Sequence, residues 1–483
     1  MNIITRLSKV NVLVQNSDYN IGINPVAELI YGNGISRIIA YFDMEKLINQ
    51  YKDKTIIDLK KLTHRLFMKN CGSIDYTQLH QVYSSSTNSS DKLRASSFDL
   101  IFFLVPMEWD GGKGFDYQAS YFNKSYIKQN DIEMDGRKLL SKDGATWFKA
   151  RNGYQWDNDG IYTNDYLSEQ YDKFAQGQDS IVIARQHFDI GNEDINVDIT
   201  DTVNKFIEGK LCNYGIGIAY SPMLEIQETK MQNYVGFFTN KTNTFFEPAL
   251  ISNYNDIVDD SRSNFCLNKT NRLYLYSNIN GMLENLDEMP KCSISGKDYD
   301  VKQSSKGIYY IEVKLSSSDG YEGGTMYRDI WTNLKYNGDE IEDAELYFTT
   351  KPAKIAFNVG SSIETKPAFV LNAYGITNDE KIHRGDIRKI GISARVPYTN
   401  EECQLVDKME LRLYVKDGES EIDVFPFDSV NKSYLENYYM IDTSSLIPST
   451  YYIDIRLNYN MEKRVHKDVL HFDVINDETH KYF

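Results

Sequence analysis

The sequence predicts an all-β protein built from consecutive β-sandwiches, and three observations lead to this fold class. The chain has 483 residues, which is too long for a single hydrophobic core. It contains 36 tyrosines and 23 phenylalanines, and aromatic side chains fit the pleated, half-buried surface of a sheet. Segments of alternating apolar and polar residues recur between turn-like clusters of glycine, asparagine and aspartate. The hydrophobic fraction of 41% is that of a folded chain rather than a disordered one.

Residues 1 to about 260 are predicted to form the first domain. Valines alternate along the N-terminal segment, and further apolar runs follow at strand length. The predicted strands lie at residues 10–14, 38–42, 62–68 and 98–105. The last run is apolar at almost every position, which is typical of a strand that is buried on both faces.

One short helix is predicted within this domain, near residue 200. Thr200 and Asp201 offer short side-chain oxygens for an N-cap. Val203 and Phe206 follow at helical spacing, and Gly209 supplies a residue that can end the helix in the left-handed conformation. We therefore expect a single helix among many strands.

A long polar excursion from about residue 110 to 180 interrupts the strand pattern. It is rich in glycine, aspartate, asparagine and lysine, and it exceeds an ordinary connection between strands. Long loops on rigid scaffolds often contact partners. We therefore expect this excursion to form the distinctive surface of the first domain.

Acidic residues in and beside the excursion are candidate ligands for Ca²⁺, which prefers carboxylate oxygens. They are Asp110, Asp116, Asp157 and Asp159. Hydrogen-bonded loop acids are the alternative interpretation, and no other cofactor is predicted.

Aromatic residues of the same region are candidate contacts for a sugar or a protein partner. They are Trp109, Tyr117, Trp147 and Trp156. Exposed tryptophans would favour sugar binding, because sugars stack on accessible rings. Burial of all the tryptophans would favour a structural role, with the acids and rings packed as turns.

Two further domains of similar size are predicted after a polar boundary near residues 255–268. Alternating strands with regular turns suggest immunoglobulin-like sandwiches at residues 265–358 and 361–483. The five cysteines are widely spaced and form no C-x-x-C pair, which predicts reduced thiols rather than a disulfide framework or a zinc ribbon.

Charge and apolar patterning exclude several classes of function. A net charge of −16 argues against nucleic-acid binding, which needs clustered lysine and arginine. The strongest apolar run, residues 100–105, is far too short to cross a membrane. The first 14 residues lack the apolar core of a signal peptide. We expect a chain that folds in the cytoplasm where it is made.

No catalytic motif is found in the sequence. The patterns of nucleophile elbows, of zinc proteases and of phosphate-binding loops are all missing. His64, His80 and His187 share no metal-ligand spacing and are expected to be ordinary core or surface residues. We therefore expect a protein that is not an enzyme.

Several short motifs of the first domain together resemble one known family. Residues 18–25 read DYNIGINP, residues 41–43 read YFD, residues 197–200 read VDIT, residues 213–215 read NYG and residues 247–248 read EP. This order resembles the DNRLRE-type, carbohydrate-binding-module-like jelly roll. The resemblance implies an N-terminal jelly-roll β-sandwich that acts as an adhesive or structural module rather than as a catalyst.

The arrangement of one such jelly roll before two sandwiches resembles the tail ring or stabilisation proteins of crAss-like phages. Residues 109–117 (WDGGKGFDY) also resemble an element of jelly-roll proteins from tailed phages. The resemblance implies a virion protein of the tail, assembled in the host bacterial cytoplasm. The implied partners are copies of itself in a ring and other tail or portal proteins, with tail fibres as a further candidate. Nucleic acid and membrane are not expected as partners.

Two alternatives remain open. The first is a carbohydrate-binding adhesin or a binding module associated with tail fibres, which would use exposed aromatic rings. The second is an enzyme such as a polysaccharide lyase or hydrolase, which would need two facing carboxylates in a cleft.

Overall fold

A computed structural model of the chain describes residues 2–74, 97–115, 133–134, 137–138, 140–227, 232–242, 244–254, 257–351, 370–395, 408–433, 436–459 and 462–476. These residues divide into two compact units. The N-terminal unit comprises Asn2–Ile48 and Lys60–Asn253, and the C-terminal unit comprises Asn49–Leu59 and Tyr254–Phe483. None of the helices in these described ranges is long and apolar enough to span a membrane.

The chain is all-β, as predicted. The strands of its first half, in chain order, are β1 (Asn2–Val14), β2 (Val26–Gly32), β3 (Ser36–Phe42), β4 (Leu62–Met68), β5 (Asn70–Ile74), β6 (Phe98–Leu104), β7 (Glu133–Met134), β8 (Arg137–Lys138), β9 (Lys149–Arg151), β10 (Tyr154–Gln155), β11 (Val182–Phe188), β12 (Ile195–Asp198), β13 (Ile216–Tyr220), β14 (Gln232–Phe238) and β15 (Ala249–Tyr254). The helices are α1 (Glu45–Lys52), α2 (Asn164–Ala175), α3 (Thr200–Ile207) and α4 (Pro222–Glu225), with short 3-10 helices at Leu59–Lys61, Ser261–Asn264, Ser317–Asp319 and Thr443–Ser445.

The main sheet of the N-terminal unit has eight strands in the order β11-β6-β13-β3-β1-β15-β4-β12, and β2-β14-β5 form a smaller sheet. The first strand joins two neighbours. Its beginning pairs with β15, where Asn2 lies opposite Asn253, and its later part pairs with β3, where Val12 lies opposite Ile38. Strands from the start of the chain and from near residue 250 therefore lie side by side in one sheet.

The strands predicted at residues 10–14, 38–42, 62–68 and 98–105 are all confirmed. In β4 the side chains alternate between buried and exposed along Leu62–Met68, which is the period-2 pattern of a strand with one face on the core. In β6 most side chains are buried, as expected for a central strand with apolar residues on both faces.

The predicted helix is present, but its N-cap differs and it is accompanied by others. The helix α3 begins at Thr200, so its cap is Ile199, which makes no side-chain capping bond. The Thr200 hydroxyl instead accepts a hydrogen bond from the His64 N–H at 2.9 Å, so the capping role predicted for Thr200 and Asp201 is wrong. Gly209 ends the segment with φ of +71°, as predicted.

The excursion is not simply a surface loop. Within residues 140–180, which are all described, it carries β9, β10 and the twelve-residue helix α2. Thr163 caps this helix by accepting from the Tyr166 N–H, and Leu167 is fully buried. Apolar side chains of this stretch join the core of the unit beside β1, β3 and β6. This stretch therefore contributes side chains to the core, because apolar residues are spaced among its polar ones.

The strands of the second half, in chain order, are β16 (Phe265–Cys266), β17 (Asn271–Tyr276), β18 (Asn278–Ile279), β19 (Met282–Leu283), β20 (Lys291–Ile294), β21 (Lys297–Tyr299), β22 (Val301–Ser305), β23 (Ile308–Val313), β24 (Met326–Thr332), β25 (Lys335–Tyr336), β26 (Asp339–Glu340), β27 (Ala344–Lys351), β28 (Val370–Tyr374), β29 (Glu380–His383), β30 (Ile387–Arg395), β31 (Lys408–Asp417), β32 (Ser420–Ser429), β33 (Asn431–Lys432), β34 (Asn437–Asp442), β35 (Ser449–Tyr459) and β36 (Glu462–Ile475).

The C-terminal unit contains two pairs of sheets. The first pair is β16-β27-β24-β20-β21 with β17-β23-β22, and the second is β28-β30-β34-β33 with β29-β36-β35-β31-β32. Large apolar side chains such as Trp331 and Phe348 are buried in the core of the first pair. A short backbone link joins the two pairs, since Asp260 N–H donates to Lys432 O at 3.0 Å.

Candidate functional site

A glycine-rich segment, residues 109–115, is fastened to the loop around Asn20, and we call this contact the asparagine clamp. The buried Asn20 amide donates to Gly111 O at 2.9 Å and to Ala145 O at 2.8 Å. Its side-chain oxygen accepts from the Gly114 N–H at 3.1 Å. Because buried polar groups must be paired, one asparagine here fixes the paths of three loops.

The glycines of the asparagine clamp are required by space. A Cβ atom on Gly22 would lie 1.8 Å from Gly111 O, and one on Gly114 would lie 1.9 Å from Asn20 O. A Cβ on Gly112, which has φ of +77°, would lie 2.2 Å from the Asn20 side chain. The glycine pattern is therefore explained by close backbone packing, independently of any ligand.

The predicted calcium ligands do not come together in the described part of the chain. Asp110, Asp157 and Asp159 are exposed, while Asp116 lies outside the described residues. Asp110 takes part in the fold through its backbone, which donates to Ala150 O at 3.1 Å. Among the described residues, no group of three or more histidine, cysteine, aspartate or glutamate side chains is placed to hold a metal ion.

Three of the four predicted aromatic contact residues lie in the described part of the chain, and all three are buried. The exposed fractions of Trp109, Trp147 and Trp156 are 0%, 6% and 5%. The indole N–H of Trp109 donates to Tyr214 O at 2.7 Å, and that of Trp156 donates to Thr146 O at 2.8 Å. The fourth candidate, Tyr117, lies outside the described residues. These tryptophans present no open ring face to a sugar, and they tie the excursion to the core instead.

A buried ion pair, which the sequence analysis did not anticipate, holds the excursion from the other side. Arg37 on β3 binds Glu225 on α4 through two hydrogen bonds of 3.0 and 2.6 Å, and both side chains are about 1% exposed. The remaining guanidinium N–H groups donate to Gly160 O, Tyr162 O and Asn164 Oδ1 at 2.6–2.7 Å. All five N–H donors of the guanidinium are satisfied within the protein. The pair therefore stabilises the fold and leaves no guanidinium donor for a ligand.

A serine, a histidine and an aspartate meet at the ends of β6 and β11. The His187 ring faces Asp99 Oδ1 at 2.8 Å through Nδ1 and Ser97 Oγ at 3.2 Å through Nε2. This is the order of groups in a hydrolase triad. However, Nε2 also faces Asp189 Oδ1 at 3.3 Å, so the nitrogen that should accept the serine proton is held by a second carboxylate. Asp99 and His187 are direct cross-strand partners, and we interpret the cluster as an exposed ion-pair network.

The described residues of the N-terminal unit form a pair of adjoining cavities that share Asp18, Lys142 and Phe148, and we call them together the groove. Each has a volume of about 500 Å³. One lies against the loop after β1 and includes Tyr19, and the other lies against the β9–β10 hairpin and includes Tyr154. Volumes of this size are typical of small-molecule sites.

The charged side chains of the groove are partly paired within the protein. Lys142 Nζ lies 3.1 Å from Asp18 Oδ2, and this hydrogen bond raises the pKa of Lys142. Lys149 donates to Asn152 Oδ1 at 2.8 Å. The described residues that line the two cavities include one carboxylate, Asp18, whereas a glycosidase needs two.

No family model matches the chain, and no curated protein matches it either. Among solved structures it is similar to fibronectin(III)-like modules of Clostridium thermocellum CbhA, with 6% identity, 47% of this chain and 95% of that chain covered, and a TM-score of 0.16. It is also similar to tandem Ig repeats of Dlar, with 11% identity, coverage of 45% and 93%, and a TM-score of 0.14.

A third similar structure is an endo-β-1,4-mannanase from Thermotoga petrophila, with 10% identity and a TM-score of 0.16. The match covers 24% of this chain and 21% of the mannanase, so it spans about a fifth of that enzyme. TM-scores of this size carry no argument about the fold or the function of this chain.

Proposed function

We infer that this chain is a non-enzymatic structural component of a bacteriophage virion, a ring or collar protein of the tail. In this role several copies pack around the axis of the portal and tail, next to other tail proteins. The observation that carries the proposal is that the tryptophans of the first domain's excursion are packed in the core rather than exposed to solvent.

The tryptophans supply the first part of this argument. Exposed tryptophans would favour sugar binding and buried ones a structural role, and all three are buried in the core of the N-terminal unit. The polar groups of their indole rings are satisfied inside the protein where Trp109 and Trp156 donate to backbone oxygens. Burial of these aromatic side chains therefore stabilises the fold.

Rigidity supplies the second part. The asparagine clamp and the Arg37–Glu225 pair fix the described part of the excursion to the sheet at two separate places. A ring subunit must keep its shape in contact with neighbours on both sides, and rigid sandwiches with fastened loops suit permanent side-by-side packing. The overall charge of −16 further suits contact with basic partner surfaces and a channel that does not retain DNA.

The resemblance to tail ring proteins of crAss-like phages supplies the specific assignment. It would place the protein in the tail of the virion after assembly in the host cytoplasm. The adhesin alternative, in so far as it uses the tryptophans, loses support from the burial of their rings. The enzyme alternative loses support because the described lining of the groove offers one carboxylate.

Cross-linking mass spectrometry of intact phage particles that contain this chain tests the proposal. We expect cross-links between identical lysines of different copies, such as Lys269 to Lys269, together with links to portal or tail proteins. The purified chain, cross-linked at low concentration, is the control for links within one copy. Links confined to one copy, or links only to fibre-tip proteins, would contradict the ring assignment.

A further inference from the structure

The groove carries more positive than negative charge, although the chain as a whole is acidic. Its charged lining residues are Lys142, Lys149 and Asp18, whereas the whole chain has 69 acidic and 53 basic residues. The partner of Lys149 is an amide, since its ammonium group donates to Asn152 Oδ1 at 2.8 Å. The side chains of Lys142 and Asp18 are 60% and 54% exposed, so their ion pair is weak and leaves Lys142 able to bind a second carboxylate. The groove therefore attracts acidic groups.

Aromatic rings give the groove an apolar part beside its lysines. Tyr19, Phe148 and Tyr154 line it, and Tyr154 is 57% exposed. The Arg151 guanidinium lies 4.2 Å from the centroid of the Tyr154 ring, and this cation–π contact holds the ring in position. The segment that fits the groove best therefore combines carboxylates with an apolar side chain.

A loop of the C-terminal unit has this combination of groups, and we call residues 339–343 the acidic loop. Its sequence is DEIED, and all five residues are exposed. Ile341 is 39% exposed between four acidic residues, whose carboxylates form no ion pair within the described part of the chain. The Ile341 N–H donates to Leu334 O at 2.8 Å, and Asp287 accepts from two N–H groups of the preceding turn at 3.1 and 2.8 Å. Because the loop is already held in place, it loses little conformational entropy on binding.

We propose that the acidic loop of one copy binds in the groove of the neighbouring copy and forms the head-to-tail contact of the ring. This inference rests on the proposed function, because a ring requires each copy to present two different surfaces that fit each other. The groove lies on the N-terminal unit and the acidic loop on the C-terminal unit, so they are two such surfaces of one chain. In this contact Lys142 and Lys149 face the carboxylates of the loop, and Ile341 packs on Tyr154. Complementary charges fix the register of the contact and speed up association.

Zero-length cross-linking between carboxylates and lysines tests this contact in the full-length chain. Equal amounts of unlabelled and isotope-labelled protein are mixed, treated with a carbodiimide over a range of protein concentrations, and analysed by mass spectrometry. We expect links from Lys142 or Lys149 to the acidic loop in which one partner is labelled and the other is not. Links confined to one isotope, which would show the loop in the groove of its own copy, overturn the proposal. The absence of any link between these two sites at every concentration overturns it as well.

Charge reversal gives a second test, which is measured by sedimentation velocity. The groove variant, Lys142→Glu with Lys149→Glu, should raise the dissociation constant of self-association by about tenfold or more, because repulsion replaces attraction. The loop variant, Glu340→Lys with Glu342→Lys, should weaken self-association to a similar extent for the same reason. A mixture of the two variants should form one-to-one dimers, since the intact loop of the first meets the intact groove of the second.

The control variant, Lys205→Glu with Lys210→Glu, changes the net charge by the same amount as the groove variant. Both lysines are exposed and lie outside the groove lining, so this variant should associate like the unaltered protein. Equal weakening in the control and the groove variant would refute the contact, and so would a mixture that does not dimerise. A ring in phage particles without these cross-links would refute the contact and leave the ring assignment standing. The cross-links without a ring in the particles would refute the ring and leave the head-to-tail contact.

Discussion

Each unit of the protein contains a buried arginine bound to a carboxylate, and the two sites differ in how completely their polar atoms are satisfied. In the N-terminal unit, Arg37 meets one carboxylate, Glu225, and its five N–H groups all have partners. In the C-terminal unit, Arg262 binds Asp329 at 2.5 and 2.9 Å and also lies 3.9 Å from Asp260. One arginine therefore faces one acid and the other faces two.

The second carboxylate, that of Asp260, accounts for the difference between the two arginine sites. Asp260 Oδ2 is buried without a hydrogen-bond partner, whereas Asp329 also accepts from the Trp331 indole at 2.7 Å. Burial raises the pKa of Asp260 to about 6, the Asp329 charge adds to this effect, and Arg262 opposes it. The second carboxylate therefore gives the Arg262 site a group whose protonation depends on pH.

The largest expected effect is the loss of the Arg37–Glu225 pair. Glu225→Ala leaves the Arg37 guanidinium buried opposite no carboxylate, which should destabilise the N-terminal unit by about 3–5 kcal/mol. Hydrogen exchange of peptides from β3 and α2, followed by mass spectrometry, measures this for one unit at a time. Glu108→Ala is the control, since it breaks the exposed pair with Arg151 and should cost about 1 kcal/mol or less. Similar losses for the two variants would contradict this role of the pair.

The second prediction concerns the asparagine clamp. Gly112→Ala places a Cβ 2.2 Å from Asn20 at a positive φ, so we expect a loss of about 2–4 kcal/mol and faster exchange in residues 109–115. Gly177→Ala is a matched control, because its φ is also positive, +70°, but nothing lies within 4 Å of its Cβ. It should cost only about 1 kcal/mol. If Gly112→Ala is no worse than Gly177→Ala, close packing does not explain the glycine pattern.

The third prediction concerns the pH dependence of stability in the N-terminal unit, which we attribute to a buried histidine. His64 is buried between Ser252 and Asn204, and burial lowers its pKa to about 4 from an ordinary value of 6.5. The unfolded state binds the proton more tightly, so stability should fall by up to about 3 kcal/mol as the pH drops from 6.5 to 4. His64→Gln should flatten the dependence of exchange on pH in β4. An unchanged slope in the variant would show that another group is responsible.

The fourth prediction, which concerns the smallest effect, is that the pH dependence of stability has the opposite sign in the C-terminal unit. The pKa of Asp260 is raised when the chain is folded, so the folded state binds the proton more tightly. Stability at this site should therefore fall, by about 2 kcal/mol, as the pH rises from 4 to 6. Asp260→Asn should remove that dependence. Exchange in residues 265–276 at pH 4 and pH 7 measures it, and a loss of stability toward acid at this site would contradict the account.

The sequence predicted the strands well, because period-2 alternation is a local signal. β4 and β6 both lie where alternation or a long apolar run placed them. The helix α2 was missed since its apolar residues, such as Leu167, are spaced among charged ones within a stretch that looked like a loop.

The contacts that matter most in the N-terminal unit could not be predicted from one sequence. Arg37 is a charged residue inside an apolar strand, which is a local signal of a buried partner, but Glu225 lies 188 positions further along the chain. The tryptophans of the excursion stand out in the sequence, yet their burial depends on how the loops fold back. The groove brings together residues near 15–19, 30–35 and 142–155, which only the fold makes neighbours.

Single-particle electron microscopy of phage particles that contain this chain tests the ring assignment itself. We expect copies of the chain in a closed, symmetric ring coaxial with the portal and tail, with β-sandwich faces or edges forming the contacts between neighbours. A chain found as isolated copies, or at the tip of a peripheral fibre with the groove facing outward, would contradict the ring assignment and favour an adhesive role.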